Sequence, residues 1–171
     1  MGIWSSLLRW IKPIRIVDPM FGPLRFHGRK QPQSSYWEGG WQPPWQQGEA
    51  ELKVIADQSG PDQEQRRRWG TFLEHVATFR SELERELYDD YLRWVEIVRE
   101  HPNSGGSPFP QVGNSAEVWK HSFTATIEVL SSADKHAPEC DLIMTVEVDW
   151  EEEHFRCVSG ASGRLIEFVE G

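Results

Sequence analysis

The hydrophobic positions near the C-terminus repeat every two residues, which predicts a strand with one apolar face. Apolar residues hold every second position of this run: Leu142, Met144, Val146, Val148 and Trp150. Two further β-rich runs follow at 154–159 and 164–169, and the glycines between them are typical of a hairpin turn. We therefore expect an antiparallel three-stranded meander at this end of the chain.

The hydrophobic period lengthens to about 3.6 residues in the middle of the chain. Pro61 suits the first position of a helix, and the pattern Ser81-x-x-Glu84 resembles a capping box at which a second helix could begin. We predict two helices, over 62–79 and 82–100, or one kinked helix. Runs with a two-residue period lie on both sides, so the expected fold is α+β: an antiparallel sheet of about six or seven strands with the helices packed on one face.

Residues 1–12 have the spacing of a short amphipathic helix that ends at Pro13. Its apolar face consists of Ile3, Trp4, Leu7, Leu8 and Ile11. This face could pack on the protein's own domain, associate with a second copy, or make weak peripheral contact with a membrane, for which one short helix is a marginal anchor. We predict an N-terminal helix over residues 1–13, followed by a single domain over residues 14–171.

Composition and charge narrow the class of protein. The 171 residues carry a formal net charge of -9, which argues against nucleic-acid binding, because phosphate binding needs an excess of Lys and Arg on one face. The same charge suits a basic protein partner, although many acidic proteins are simply well solvated.

Cys140 and Cys157 form no Cys-x-x-Cys pair, and no apolar run reaches membrane-spanning length. We therefore predict reduced thiols and a cytoplasmic location.

The segment 36–45 is the most aromatic part of the chain and contains Trp37, Trp41 and Trp45. An exposed aromatic surface of this kind could stack on a sugar or hold a polyproline segment. Alternatively, Gly39 and Gly40 form the turn of a hairpin and the three rings cover the sheet. The large area that a Trp side chain buries favours the second interpretation.

Ionisable side chains are densest in an acidic corner near the C-terminus. Its members are Glu147, Asp149, Glu151, Glu152, Glu153 and His154. Carboxylates with one histidine could form a binding site, hold a divalent cation or act as acid and base, but a solvent-facing edge that prevents strand pairing has the same composition. No phosphate loop, nucleophile elbow or His-Glu-x-x-His pattern occurs, so we assign no catalytic residue, cofactor or metal.

Several short motifs occur in the order found in a group of uncharacterised bacterial domains. The chain contains Asp18-Pro19-Met20-Phe21-Gly22, then Tyr36-Trp37-Glu38-Gly39, and later Trp150-Glu151-Glu152-Glu153-His154. It resembles domains that open with Asp-Pro-hydrophobic-Phe-Gly and close with a Trp-Asp-Glu-Glu-His-Gly corner before a final hairpin, with Glu151 here in place of Asp and Phe155 in place of Gly. The resemblance implies an α+β fold and an immunity-protein-like setting, and it supplies no catalytic residues.

The expected function is that of a non-enzymatic bacterial protein-interaction module, such as an immunity or accessory factor. The negative charge, the acidic corner and the lack of a catalytic pattern motivate this expectation, since acidic inhibitors associate rapidly with basic toxins. The alternative is a metal-dependent, hydrolase-like enzyme that uses Glu147, Asp149 and His154, whose side chains would have to converge in a cleft.

Overall fold

A sheet of eight strands and two helices make up the described part of the computed structural model, which comprises residues 13–28, 35–102, 108–131, 140–151 and 156–170. The strands are β1 (Arg15–Asp18), β2 (Gly22–His27), β3 (Tyr36–Trp41), β4 (Ala50–Val54), β5 (Ser122–Val129), β6 (Leu142–Val148), β7 (Arg156–Ala161) and β8 (Arg164–Glu170). The helices are α1 (Gln63–Glu74) and α2 (Val76–Glu100), and a 3-10 helix, η1, spans Ser115–Lys120.

Within the described ranges the strands lie side by side in chain order, from β1 to β8. Each neighbouring pair is antiparallel except β4 and β5, which run parallel because the chain crosses over between them through α1 and α2. This arrangement confirms the α+β class and the mostly antiparallel sheet. The strand count exceeds six or seven because the residues before the Asp-Pro turn form an edge strand, β1. Residues 1–12 lie outside the described ranges, so the N-terminal helix stays a prediction.

The alternation predicted for the C-terminal meander is confirmed in β6. Met144 and Val146 are buried, whereas Thr145 is half-buried and Glu147 is exposed. The buried face shares one core with aromatic residues of the two helices: Trp69, Phe72, Phe79 and Tyr91. The opposite face of the sheet therefore carries the more accessible side chains. None of the helices in the described ranges combines the length and the apolar character that a membrane crossing needs.

The break between the two helices lies at His75, a few residues before the predicted position. α1 starts with a capping box in which the Asp62 carboxylate accepts from the backbone N–H of Gln65 (2.7 Å) and the Gln65 side chain accepts from the N–H of Asp62 (3.0 Å). Ser81 caps no helix, because its hydroxyl donates to the carbonyl of Ala77 one turn earlier (3.1 Å). The capping box thus occurs at the first helix, built from Asp and Gln.

The opening Asp-Pro-Met-Phe-Gly motif forms the turn between β1 and β2. Asp18 Oδ1 accepts hydrogen bonds from the backbone N–H groups of Met20 (2.9 Å) and Phe21 (3.2 Å), and Gly22 has a φ of 75°, which favours glycine. Arg66 of α1 donates its Nε–H to Asp18 Oδ2 (2.9 Å). Burial raises the pKa of this carboxyl, but the hydrogen bonds from Arg66 and from the turn outweigh burial and hold the pKa below its usual value. The motif therefore ties the edge hairpin to the first helix.

Candidate functional site

The acidic corner does not form a single cluster in the described residues. Glu147 and Asp149 are exposed, whereas Glu151 is buried. Glu152, Glu153 and His154 lie outside the described ranges. Among the residues that the structure describes, no group of three His, Cys, Asp or Glu side chains is arranged to hold a metal ion. Glu151 is thus corrected from an exposed binding residue to a buried one.

Glu151 is buried because it belongs to an ion-pair network around Arg156, whose side chain is 1% exposed. Arg156 Nε donates to Asp90 Oδ2 of α2 (2.8 Å), and Trp150 Nε1 donates to the same oxygen (3.0 Å). Arg156 Nη2 lies 2.7 Å from Glu151 Oε2, in a contact that is ionic rather than an aligned hydrogen bond. Burial lowers the pKa of the Arg156 guanidinium, but the hydrogen bond and charge of Asp90, together with the carboxylate of Glu151, outweigh burial and raise it. This network attaches the corner to α2. The Glu151 carboxylate is buried within it and is therefore not accessible to an outside ligand.

The three tryptophans of the aromatic segment do not form an exposed surface. Trp37 is 1% exposed and Trp45 is 7% exposed, so both belong to the core. The half-buried Trp41 packs edge-on against Trp69 and Phe72 of α1, with ring centroids 5.5 Å apart in each pair. The burial of Trp37 and Trp45 agrees with the alternative in which the rings cover the sheet. The turn position of that alternative is corrected, because residues 39–40 lie inside β3.

A cleft of about 730 Å³ opens at the end of the sheet where β5 extends beyond the start of β4. Its walls come from the loop between β3 and β4, from η1 and the first residues of β5, and from the turn after β6; they include Trp45, Trp119, Lys120, Phe123 and Asp149. The volume lies within the range of clefts that bind small ligands or side chains of a partner. We take this cleft as the candidate functional site.

The loop between β3 and β4 is attached to β5 by the side chain of Gln46, which forms two hydrogen bonds with the backbone of Thr124. The Gln46 amide donates to the carbonyl of Thr124 (3.1 Å) and accepts from the backbone N–H of the same residue (2.7 Å). Gln46 therefore supplies the two hydrogen bonds that a neighbouring strand would make at this position. Trp45 Nε1 also donates to Thr124 Oγ1 (3.1 Å), and Gln42 Nε2 donates to the Gln46 carbonyl (2.7 Å).

The aromatic wall of the cleft is fixed from behind. Trp119 of η1 stacks on Trp45 at a centroid distance of 5.4 Å and an interplanar angle of 27°. Its Nε1 donates to Glu84 Oε1 of α2 (2.7 Å), and that oxygen also accepts from Arg80 Nε (2.7 Å). Because both the ring face and the polar edge of Trp119 are held, this wall is ordered before any ligand arrives.

A β-bulge in β5 turns Phe123 away from the core and into the cleft. The pairing with β6 shifts between Thr124 and Thr126, and Ala125 is left out of the register. Phe123 is 47% exposed, whereas Ile127, beyond the bulge, is fully buried. In a regular strand the two side chains would point to the same face, because an even number of residues separates them. The bulge thus re-aims Phe123 from the core to the accessible face.

The charged groups around Phe123 are mostly acidic. Glu147 lies directly opposite Phe123 in the β5–β6 register, and no described residue forms an ion pair with it. Asp149 Oδ2 lies 3.4 Å from His121 Nδ1. Lys120 Nζ donates to Glu117 Oε1 (2.8 Å), and this hydrogen bond is the main reason that the pKa of Glu117 is lowered.

Sequence reasoning singled out Glu147, Asp149 and Trp45 but missed three residues of the cleft: Gln46, Trp119 and Phe123. A glutamine that replaces a strand leaves no periodic signal, because its partner Thr124 is distant in the chain. In the run 122–129, Phe123 belongs to a set of apolar residues that alternates with Thr124, Thr126 and Glu128, which predicts a core position for Phe123. The bulge that moves Phe123 out of the core leaves no mark in this alternation.

The comparisons with known proteins place the chain in a family without assigning an activity. Neither the curated proteins nor the solved structures include a match to this chain. The family model described as a domain of unknown function (DUF6985) matches residues 20–157, which is most of the chain. This match starts within the Asp-Pro turn and extends through the cleft to Cys157 in β7. The chain therefore belongs to the DUF6985 family.

Proposed function

We propose that this chain is a non-enzymatic protein-interaction module and that it holds a segment of its partner in the cleft beside Phe123. The observation that carries the proposal is the β-bulge in β5. It leaves Phe123 47% exposed, although the alternation of apolar and polar residues predicts that Phe123 faces the core. Exposing a large apolar ring gives up burial free energy, so a local rule of folding is broken at this point. Aromatic side chains next to an ordered wall are the usual anchors of protein interfaces.

One hydrogen bond of the cleft argues against a serine nucleophile in it. Ser122 lines the cleft, and His121 and Asp149 are close to it. However, the Ser122 hydroxyl donates to the carbonyl of Val118 (2.9 Å), so it is not hydrogen-bonded to His121 as a serine nucleophile would be to its base. An immunity or accessory role in a bacterial cytoplasm would be one use of such a module, and we include it in the proposal.

The proposal is tested by selecting ligands on the full chain from a random linear peptide library displayed on phage. We then measure the dissociation constants of the enriched peptides for the unsubstituted chain, for Phe123→Ser and for Ile166→Ser. Ile166 of β8 is a matched control, because it is an apolar residue with 49% exposure away from the cleft.

Loss of an anchor residue should weaken binding by about thirtyfold, which corresponds to about 2 kcal/mol. Phe123→Ser should show this loss and Ile166→Ser should leave the affinity within about twofold of the original. Melting temperatures close to that of the unsubstituted chain would show that both variants fold. The proposal is overturned if no peptide is enriched, or if Phe123→Ser binds the enriched peptides as tightly as the unsubstituted chain.

A further inference from the structure

We propose that the cleft selects a cationic side chain, that of Lys or Arg, and holds it between the ring of Phe123 and the carboxylates of Glu147 and Asp149. This inference rests on the proposed function, since it states which chemistry of the partner segment the same cleft prefers. It concerns the side chain that enters the cleft, and it makes the partner a basic protein segment.

The strand register brings the ring and the first carboxylate together. Phe123 and Glu147 are paired directly across β5 and β6 on the accessible face. Side chains in such pairs have Cβ atoms roughly 4.5–5.5 Å apart. A cation over an aromatic ring is attracted within about 6 Å of the ring centroid, so a cation above Phe123 also lies within reach of the Glu147 carboxylate.

The second carboxylate and the ordered aromatic wall complete the site. Asp149 lines the cleft together with Phe123, and its side chain is 62% exposed. Trp119 also lines the cleft and is held in place by Trp45 and Glu84. A long basic side chain has an apolar stem and a charged head, so the aromatic rings of the cleft match its stem, and the carboxylates of Asp149 in the cleft and Glu147 beside Phe123 match its head.

The balance of charge favours a cation over an anion. Lys120, which also lines the cleft, is already bound by Glu117. Asp149 Oδ2 lies 3.4 Å from His121 Nδ1, and none of the described residues forms an ion pair with Glu147. The whole chain has a formal net charge of -9, which adds attraction at longer range. An anionic ligand would meet this field with repulsion.

The test uses two small probes that differ in charge but little in shape: Nα-acetyl-arginine methylamide and Nα-acetyl-citrulline methylamide. Each is titrated into the full chain, labelled with ¹⁵N, and the shifts of the backbone amides around Phe123, Glu147 and Asp149 are followed by NMR. We expect the arginine probe to bind about fivefold or more tightly than the citrulline probe, the combined effect of a cation–π contact and exposed ion pairs.

Substitutions then assign the preference to the named groups. Glu147→Gln and Asp149→Asn should each reduce the preference, and together they should bring the two probes to within about twofold. Phe123→Leu, which keeps an apolar side chain without a ring, should reduce it as well. Glu167→Gln is the control, because it removes one exposed carboxylate from β8 and changes the net charge of the chain equally; the preference should survive it.

Several outcomes separate this inference from the proposed function. Equal binding of both probes, or a preference that survives removal of both carboxylates, overturns the selection of a cation while the peptide-binding role stands. If neither probe shifts the amides of the cleft, the cation site is likewise rejected. The peptide selection then decides the proposed function independently: enriched peptides without a basic residue that lose affinity with Phe123→Ser would support the module and contradict the cation.

Discussion

Removal of the Arg156 side chain should lower stability strongly, because its buried charge compensates two carboxylates. Replacing it with Met keeps an apolar stem of similar length but removes the guanidinium. Asp90 and Glu151, whose side chains are 9% and 6% exposed, would then lose their buried positive partner. Breaking a buried ion pair by removing one partner costs about 3–5 kcal/mol.

This loss is a large part of the free energy of unfolding, which for native proteins is about 5–15 kcal/mol. A chain of this length loses about 2–4 °C of melting temperature per kcal/mol, so Tm should fall by roughly 6–20 °C. Arg93 provides a control on the same carboxylate. Arg93 Nη2 lies 3.2 Å from Asp90 Oδ1, but its side chain is 68% exposed, so Arg93→Met should cost less than about 1 kcal/mol.

The measurement is urea unfolding followed by the fluorescence of the nine tryptophans. A triple variant, Arg156→Met with Asp90→Asn and Glu151→Gln, leaves no uncompensated charge and should recover part of the stability lost in Arg156→Met alone. The reasoning is refuted if Arg156→Met costs no more than Arg93→Met. It is equally refuted if the triple variant is less stable than the single one, since the penalty would then not come from unpaired carboxylates.

Three further substitutions test the turns. Asp18→Asn should lower the free energy of unfolding by about 1–3 kcal/mol at neutral pH, because the hydrogen bond from Arg66 is lost. The pKa of Asp18 is lowered in the folded state, so this cost should vanish as the pH falls through the folded-state pKa. Urea unfolding over a pH series measures the cost, and a cost that stays constant with pH would contradict the prediction. Gly22 and Gly163 both have a positive φ, and Gly22→Ala should cost about 1–2 kcal/mol for that reason. Gly163→Ala should lower Tm further, because only at Gly163 would the new Cβ collide with His75. Equal losses in scanning fluorimetry would exclude the collision.

Local patterns sufficed for the parts of the fold whose contacts are close in the chain. The two-residue period of β6 and the glycines before β8 specify a meander, because neighbouring strands need only a turn between them. The change of period likewise locates the helices. The parallel pairing of β4 with β5 could not be predicted in this way, since it depends on how the helical crossover returns to the sheet.

The candidate site was less predictable because it depends on contacts between distant residues. Glu151 resembles the other acidic residues of its corner in sequence, and only the approach of Asp90 and Arg156 makes it a buried ion-pair partner. Phe123 shares the alternation of Ile127, and only the bulge separates the two. In both cases one side chain departs from the local pattern for a reason that lies elsewhere in the chain.

The parallel seam between β4 and β5 sets an order for folding. Each half of the sheet joins strands that follow one another in the chain, so both halves can form early from local contacts. The seam pairs Leu52 with Ile127, which are joined by the long segment that contains both helices. Bringing the two ends of this segment together costs conformational entropy, and contacts across the seam offset that cost only after they have formed. Until that closure, both halves expose an unpaired edge with fully apolar side chains such as Val54 and Val129. We therefore expect closure of the seam to be the slow step of folding, and while it is incomplete two copies could exchange halves across the same seam.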